Sequence, residues 1–171
     1  MYWIDQAITV LNVSAFIALL IYFVLGIRDL LWRRKKYFRF QGVVIFAFVI
    51  PFLAAFLFSE ILSFYSYREA RDFLADIGDG YQILINDEFA KEKAEVLAML
   101  HYTTWIRPFQ AHHTHPTKRI KIAIEEHGEV LKLEFGRDSQ LPKEYWVFYP
   151  KYEYTRENEI ARVTTSLLDR Y

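Results

Sequence analysis

Two stretches of this chain carry no charged side chain: residues 7–27, AITVLNVSAFIALLIYFVLGI, and residues 42–58, GVVIFAFVIPFLAAFLF. A helix needs about 20 predominantly apolar residues to cross the hydrocarbon core of a bilayer, and uncharged runs of this length are rare in soluble folds. The first third of the chain is therefore expected to be a two-helix transmembrane hairpin, with spans over about 7–27 and 42–62 and Glu60 near the membrane surface. Two buried core helices are the competing reading. Ser14 and Ala18, and Ala47, Pro51 and Ala55, recur at spacings of four, which lets helix backbones approach closely. Pro51 lacks a backbone donor and is expected to kink the second span. Asn12 is read as a polar contact between helices rather than as part of an ion path.

The connector, residues 28–41, holds Arg28, Arg33, Arg34, Lys35, Lys36 and Arg39 against one acid, Asp29. Short loops rich in Lys and Arg stay on the cytoplasmic side. The loop is thus expected in the cytoplasm, with the N-terminus and everything beyond about residue 64 outside a cell (inner or plasma) membrane. Arg33, Arg34, Lys35 and Lys36 are read as a topology signal that also touches anionic lipid headgroups, in preference to a nucleic-acid or phosphoinositide patch. Tyr2, Trp3, Trp32, Tyr37 and Phe38 flank the spans, where amphipathic rings prefer to sit. MYWIDQ has no basic segment ahead of the apolar run, so a cleaved leader is not expected.

Residues 65–171 hold 15 basic and 18 acidic side chains, a balance that gives no electrostatic reason to bind nucleic acid. No cysteine is present, so disulfides and thiolate metal sites are excluded. YREARDFLADIGDG places Ala70, Phe73, Leu74 and Ile77 on one helical face, continuing the second span and ending at Gly78 and Gly80. YQILIN reads as a strand with Asn86-Asp87 as its turn, and KEKAEVLAMLHY as a helix with Ala94, Leu97, Ala98 and His101 on its stripe. RIKIAIEE and EVLKLEF flank His127-Gly128. If those two residues form the whole turn, Ile124 faces Leu131, Ile122 faces Leu133, Ile120 faces Phe135, and Lys121 faces Glu134 on the other surface. A type I′ turn requires positive φ at both positions, which His and Gly tolerate. EYWVFYPKYEY is a strand nearly continuous in aromatics, which Pro150 ends or places at an edge, its rings read mainly as core. Ile160, Val163, Thr164, Leu167 and Leu168 follow helical spacing, although their β-branched content also suits a strand. The expected fold is a membrane-anchored α+β chain: the two-helix hairpin of residues 1–64, then a small antiparallel-sheet domain over 65–171 with helices packed on one face.

The chemistry-bearing stretch is AHHTHPTK at 111–118. It leads directly into the first hairpin strand, and GRDS follows the second. An antiparallel hairpin makes those ends neighbours, so His112, His113, His115, Thr117, Arg137, Asp138 and Ser139 are expected along one rim. The plain reading of the histidines is a polar loop whose His–Pro step starts a turn before the strand. The alternative is a divalent transition metal such as zinc on His113 and His115, or an anion at Arg137. A Ser139–His–Asp138 catalytic set lacks the nucleophile elbow, and Asp138 adjoins Ser139, a poor place from which to orient a base.

The sequence thus points to a non-catalytic, membrane-anchored binding or interaction module outside the cytoplasm, an accessory or sensor subunit of an envelope complex. Its expected partners are membrane lipids and another membrane or envelope protein, with no nucleic acid and no cofactor; homo-oligomerisation remains open. The rival is a metal- or anion-binding protein or enzyme using the rim.

Overall fold

The computed structural model describes residues 1–32, 38–105 and 119–171. The chain divides into two compact units, residues 1–59 and 60–171.

The first unit contains α1 (Tyr2–Trp32) and the first part of α2 (Phe38–Ala75). Both helices are long and apolar enough to cross a membrane. Within the most apolar window of each, only 6% of α1 and 22% of α2 is buried. In α1 the buried residues Ile4, Ile8 and Ala15 fall in steps of four and seven, the seam of two helices packing side by side. Trp3 stands edge-on to Phe58 with centroids 6.3 Å apart. Ala55 and Ser59 are buried in α2, and the Ser59 hydroxyl donates back to the Ala55 carbonyl at 2.8 Å. The small residues expected at close helix contacts are matched in part: Ala55 is buried, whereas Ser14, Ala47 and Asn12 are exposed. The seam runs one residue round from Ser14, through Ala15.

α2 continues without interruption to Ala75, as the apolar stripe in YREARDFLADIGDG requires. Leu62, Ser63, Ser66, Ala70 and Leu74 are its buried positions in the second unit, one face of the helix. The remaining elements are β1 (Gln82–Ile85), β2 (Glu88–Phe89), α3 (Lys93–His101), β3 (Thr104–Trp105), β4 (Arg119–Glu126), β5 (Glu129–Arg137), β6 (Glu144–Phe148), α4 (Glu153–Glu157), β7 (Glu159–Thr164) and a 3₁₀ turn at Leu167–Arg170. Seven antiparallel strands form one open sheet in the order β2-β1-β4-β5-β6-β7-β3. β2 and β3 are the two edges, and β2, two residues long, offers little backbone for unwanted pairing.

The central hairpin has the expected register: Ile124 pairs with Leu131, Ile122 with Leu133, Ile120 with Phe135, and Lys121 with Glu134. His127 (φ 49°) and Gly128 (φ 87°) supply the positive φ of the turn. Asn86 (φ 51°) and Asp87 (φ 70°) make a second such turn, and the Asn86 side chain accepts the Lys121 amide at 3.0 Å. Register then carries one apolar face across the sheet. Ile83 and Ile85 adjoin Ile124 and Ile122, Phe135 pairs with Val147, and Val147 with Ala161. Burying an aliphatic or aromatic side chain of this size contributes about 1.5–3 kcal/mol, so this face dominates the domain's stability.

β6 is buried on both faces. Tyr145 and Val147 lie on the apolar face, while Trp146 and Phe148 form a second small cluster on the other. The Arg119 guanidinium sits 4.0 Å from the Phe148 ring centroid. It also bonds Glu134 at 3.1 Å and the Arg156 carbonyl at 2.7 Å. Glu134, expected to answer Lys121 across the strand pair, thus gives its carboxylate to Arg119, whose planar fork serves a carboxylate, a carbonyl and a ring together.

Three expectations are corrected. Residues 159–164 form strand β7 rather than a helix, followed by the 3₁₀ turn. A bulge opposite Val147/Phe148 makes Glu159, Ile160 and Ala161 consecutively buried, which hides the strand's alternation. α3 forms where expected but buries Val96, Met99 and Leu100 and exposes His101. The aromatic strand stops at Phe148, and its expected continuation KYEY enters α4.

Candidate functional site

Arg137, Asp138 and Ser139 lie at the end of β5, as the hairpin requires. His112, His113, His115 and Thr117 lie outside the described residues, as do Arg33, Arg34, Lys35 and Lys36. Among the described residues, no group of three His, Cys, Asp or Glu side chains is placed to hold a metal ion.

Arg137 is the last residue of β5 rather than part of the following loop. Its Nε donates to the Pro142 carbonyl at 2.6 Å, and a terminal nitrogen donates to Asp169 Oδ1 at 2.8 Å. The same Asp169 oxygen accepts the Tyr145 hydroxyl at 2.8 Å. Tyr145 is buried, and desolvation, reinforced by that hydrogen bond to a carboxylate, pushes its phenol up to about 12. Arg137, Tyr145 and Asp169 thus clamp the C-terminal 3₁₀ turn to the strand ends.

Asp138 is 4% exposed. One carboxylate oxygen accepts the backbone amides of Gln140 at 2.7 Å and Leu141 at 3.0 Å, and the other accepts the Trp146 indole N–H at 2.9 Å. The aspartate is the organising acceptor of the β5–β6 loop, an Asx-type turn joined to a buried indole. Its own amide donates to the Glu144 carbonyl at 2.9 Å, closing the loop.

Beside this clamp, at the same end of the sheet, is a groove of about 460 Å³ between one face of α3 and the end of β7. The Thr165 amide donates to the Lys143 carbonyl at 2.8 Å, which ties this end of β7 to the β5–β6 loop. Arg170 forms part of the groove wall and is held by Glu92 at 2.8 Å. A second, smaller groove of about 260 Å³ lies over the β1–β4–β5 surface, beside Lys121, Lys132 and Pro150. Sequence reasoning found neither groove, because each is assembled from residues distant in the chain. The only local signal was the run Thr164-Thr165-Ser166 at a strand end, where exposed hydroxyls are ordinary.

The chain matches no model of a known protein family, no curated protein and no solved structure.

Proposed function

We propose that the protein is a two-pass membrane protein whose sheet domain works as a non-catalytic binding or interaction module on the extracytoplasmic side, an accessory or sensor subunit of an envelope complex. The observation that carries this reading is the state of the two apolar helices. A core helix of a soluble domain is mostly covered, whereas only 6% of the apolar window of α1 and 22% of that of α2 is buried, which suits lipid. The orientation follows from the six Lys and Arg residues against one acid in 28–41. The buried stripes of α2 and α3 are read as the cover of the sheet's apolar face. The binding role is supported by the rim, where Arg137 and Asp138 are committed to holding loops, leaving an open groove beside a stiff frame.

The test is extraction and proteolysis. Carbonate at high pH should leave the protein in the membrane fraction, and protease added outside intact spheroplasts should digest the sheet domain. Release by carbonate, or protection of the domain until the membrane is broken, would contradict the proposal.

A further inference from the structure

We infer that the groove between α3 and the end of β7 is a saccharide-binding site for a neutral glycan, with Tyr102 as its stacking platform. The inference rests on the reading of the sheet domain as a binding module and names its ligand class.

Glu95, Met99 and Tyr102 lie on one face of α3 and its C-terminal cap, at spacings of four and three, and all line the groove. Thr164 and Ser166 line the opposite wall. Tyr102 is 79% exposed, the most exposed large hydrophobic residue among the described residues of the sheet domain. An exposed aromatic ring is a rigid flat surface with a polar tip, and the C–H face of a pyranose is its complement in shape and polarity. Around the ring, the Glu95 carboxylate and the Thr164 and Ser166 hydroxyls are exposed, and they make no side-chain hydrogen bond or ion pair among the described residues. Hydroxyls donate and accept and a carboxylate accepts twice, which suits a ligand whose own hydroxyls do both.

The charge pattern decides between ligand classes. Arg170 is paired with Glu92 at 2.8 Å, so among the described residues lining the groove the charge without a partner is the Glu95 carboxylate. A phosphate, sulfate or carboxylate ligand would meet that charge with no unpaired cation among the described residues of the groove, whereas a neutral polyol adds no charge and can use the carboxylate, the hydroxyls and the remaining Arg170 N–H groups. The volume, about 460 Å³, lies in the range of small-ligand sites.

The experiment uses the full chain in phosphatidylcholine nanodiscs, free of glycoside detergents that would compete. Maltotriose, cellotriose and the trimer of N-acetylglucosamine are probed by ligand-observed saturation-transfer NMR. At least one should receive transfer. Tyr102→Ala should weaken that binding by about tenfold or more, the loss expected when a stacking ring is removed. Tyr102→Phe should retain most of it, and Glu95→Gln should weaken it several-fold. Because Tyr102 and Glu95 are exposed, unchanged circular dichroism should accompany each variant. No transfer to any of the three sugars, or transfer that Tyr102→Ala leaves unchanged, overturns the inference. A domain found on the cytoplasmic side would refute the proposed orientation while leaving this binding measurement intact, so the two failures are distinguishable.

Discussion

Asp138 offers the sharpest stability test, because one buried carboxylate serves three donors. Hydrogen bonds to a charged group contribute about 1.5–3 kcal/mol each, and a buried donor left unpaired costs about 1–3 kcal/mol. In Asp138→Ala the amides of Gln140 and Leu141, on exposed residues, regain water, but the indole N–H of Trp146, a residue 5% exposed, does not. The expected destabilisation is about 2–4 kcal/mol, dominated by that indole. Asp138→Asn keeps the shape; its one carbonyl oxygen serves the two turn amides, and its own amide N–H then opposes the indole donor. Trp146→Phe removes the donor. The double-mutant cycle of Asp138→Asn with Trp146→Phe should show a coupling of about 1–3 kcal/mol, because the second change relieves the donor the first leaves unpaired. Urea unfolding of the full chain in micelles, followed by tryptophan fluorescence for Asp138→Asn and by near-ultraviolet circular dichroism where Trp146 is absent, measures each corner. A coupling below about 0.5 kcal/mol, the range seen for independent sites, would refute the indole–carboxylate contact as the origin of the effect.

Ile122 is 1% exposed and pairs with Leu133 across the hairpin, so Ile122→Ala should cost about 2–5 kcal/mol by the same unfolding assay. A cost under about 1 kcal/mol would contradict its place in the core. Tyr145 gives a pH prediction. Its phenol is raised to about 12 in the fold against 10.0 when free, so the neutral form is favoured in the folded state. That contribution is complete below pH 10 and is lost as pH rises through 12. Comparing unfolding midpoints of the wild type and Tyr145→Phe between these limits isolates it: the difference should narrow with rising pH, and a constant difference would contradict the assignment.

The hairpin was readable because two independent constraints agree. Alternation set which residues of β4 and β5 share a face, and His127-Gly128 left room only for a turn with positive φ. β7 was not readable, because the bulge places Glu159, Ile160 and Ala161 in consecutive buried positions while Ile160, Val163, Thr164 and Leu167 imitate a helical period. α3 was located correctly, yet Ala94 and Ala98 counted as apolar when the larger Val96, Met99 and Leu100 decide its buried face. At the rim, register brought Arg137–Ser139 to the correct strand end. The partners that commit them, Asp169 and Trp146, are remote in sequence, and no local pattern announces such contacts. Asp138 alone left a trace: an aspartate at a strand end, ahead of two amides, in a chain whose tryptophans need acceptors when buried.

The central claim is a two-pass chain with its basic loop inside and its sheet domain outside. The absence of native cysteine makes single-cysteine variants clean reporters. Arg34→Cys and Lys143→Cys, each the only thiol in the chain, should be treated in intact cells with a membrane-impermeant maleimide. The account predicts labelling at position 143 and protection at position 34 until the membrane is permeabilised; labelling at 34 with protection at 143 would contradict it.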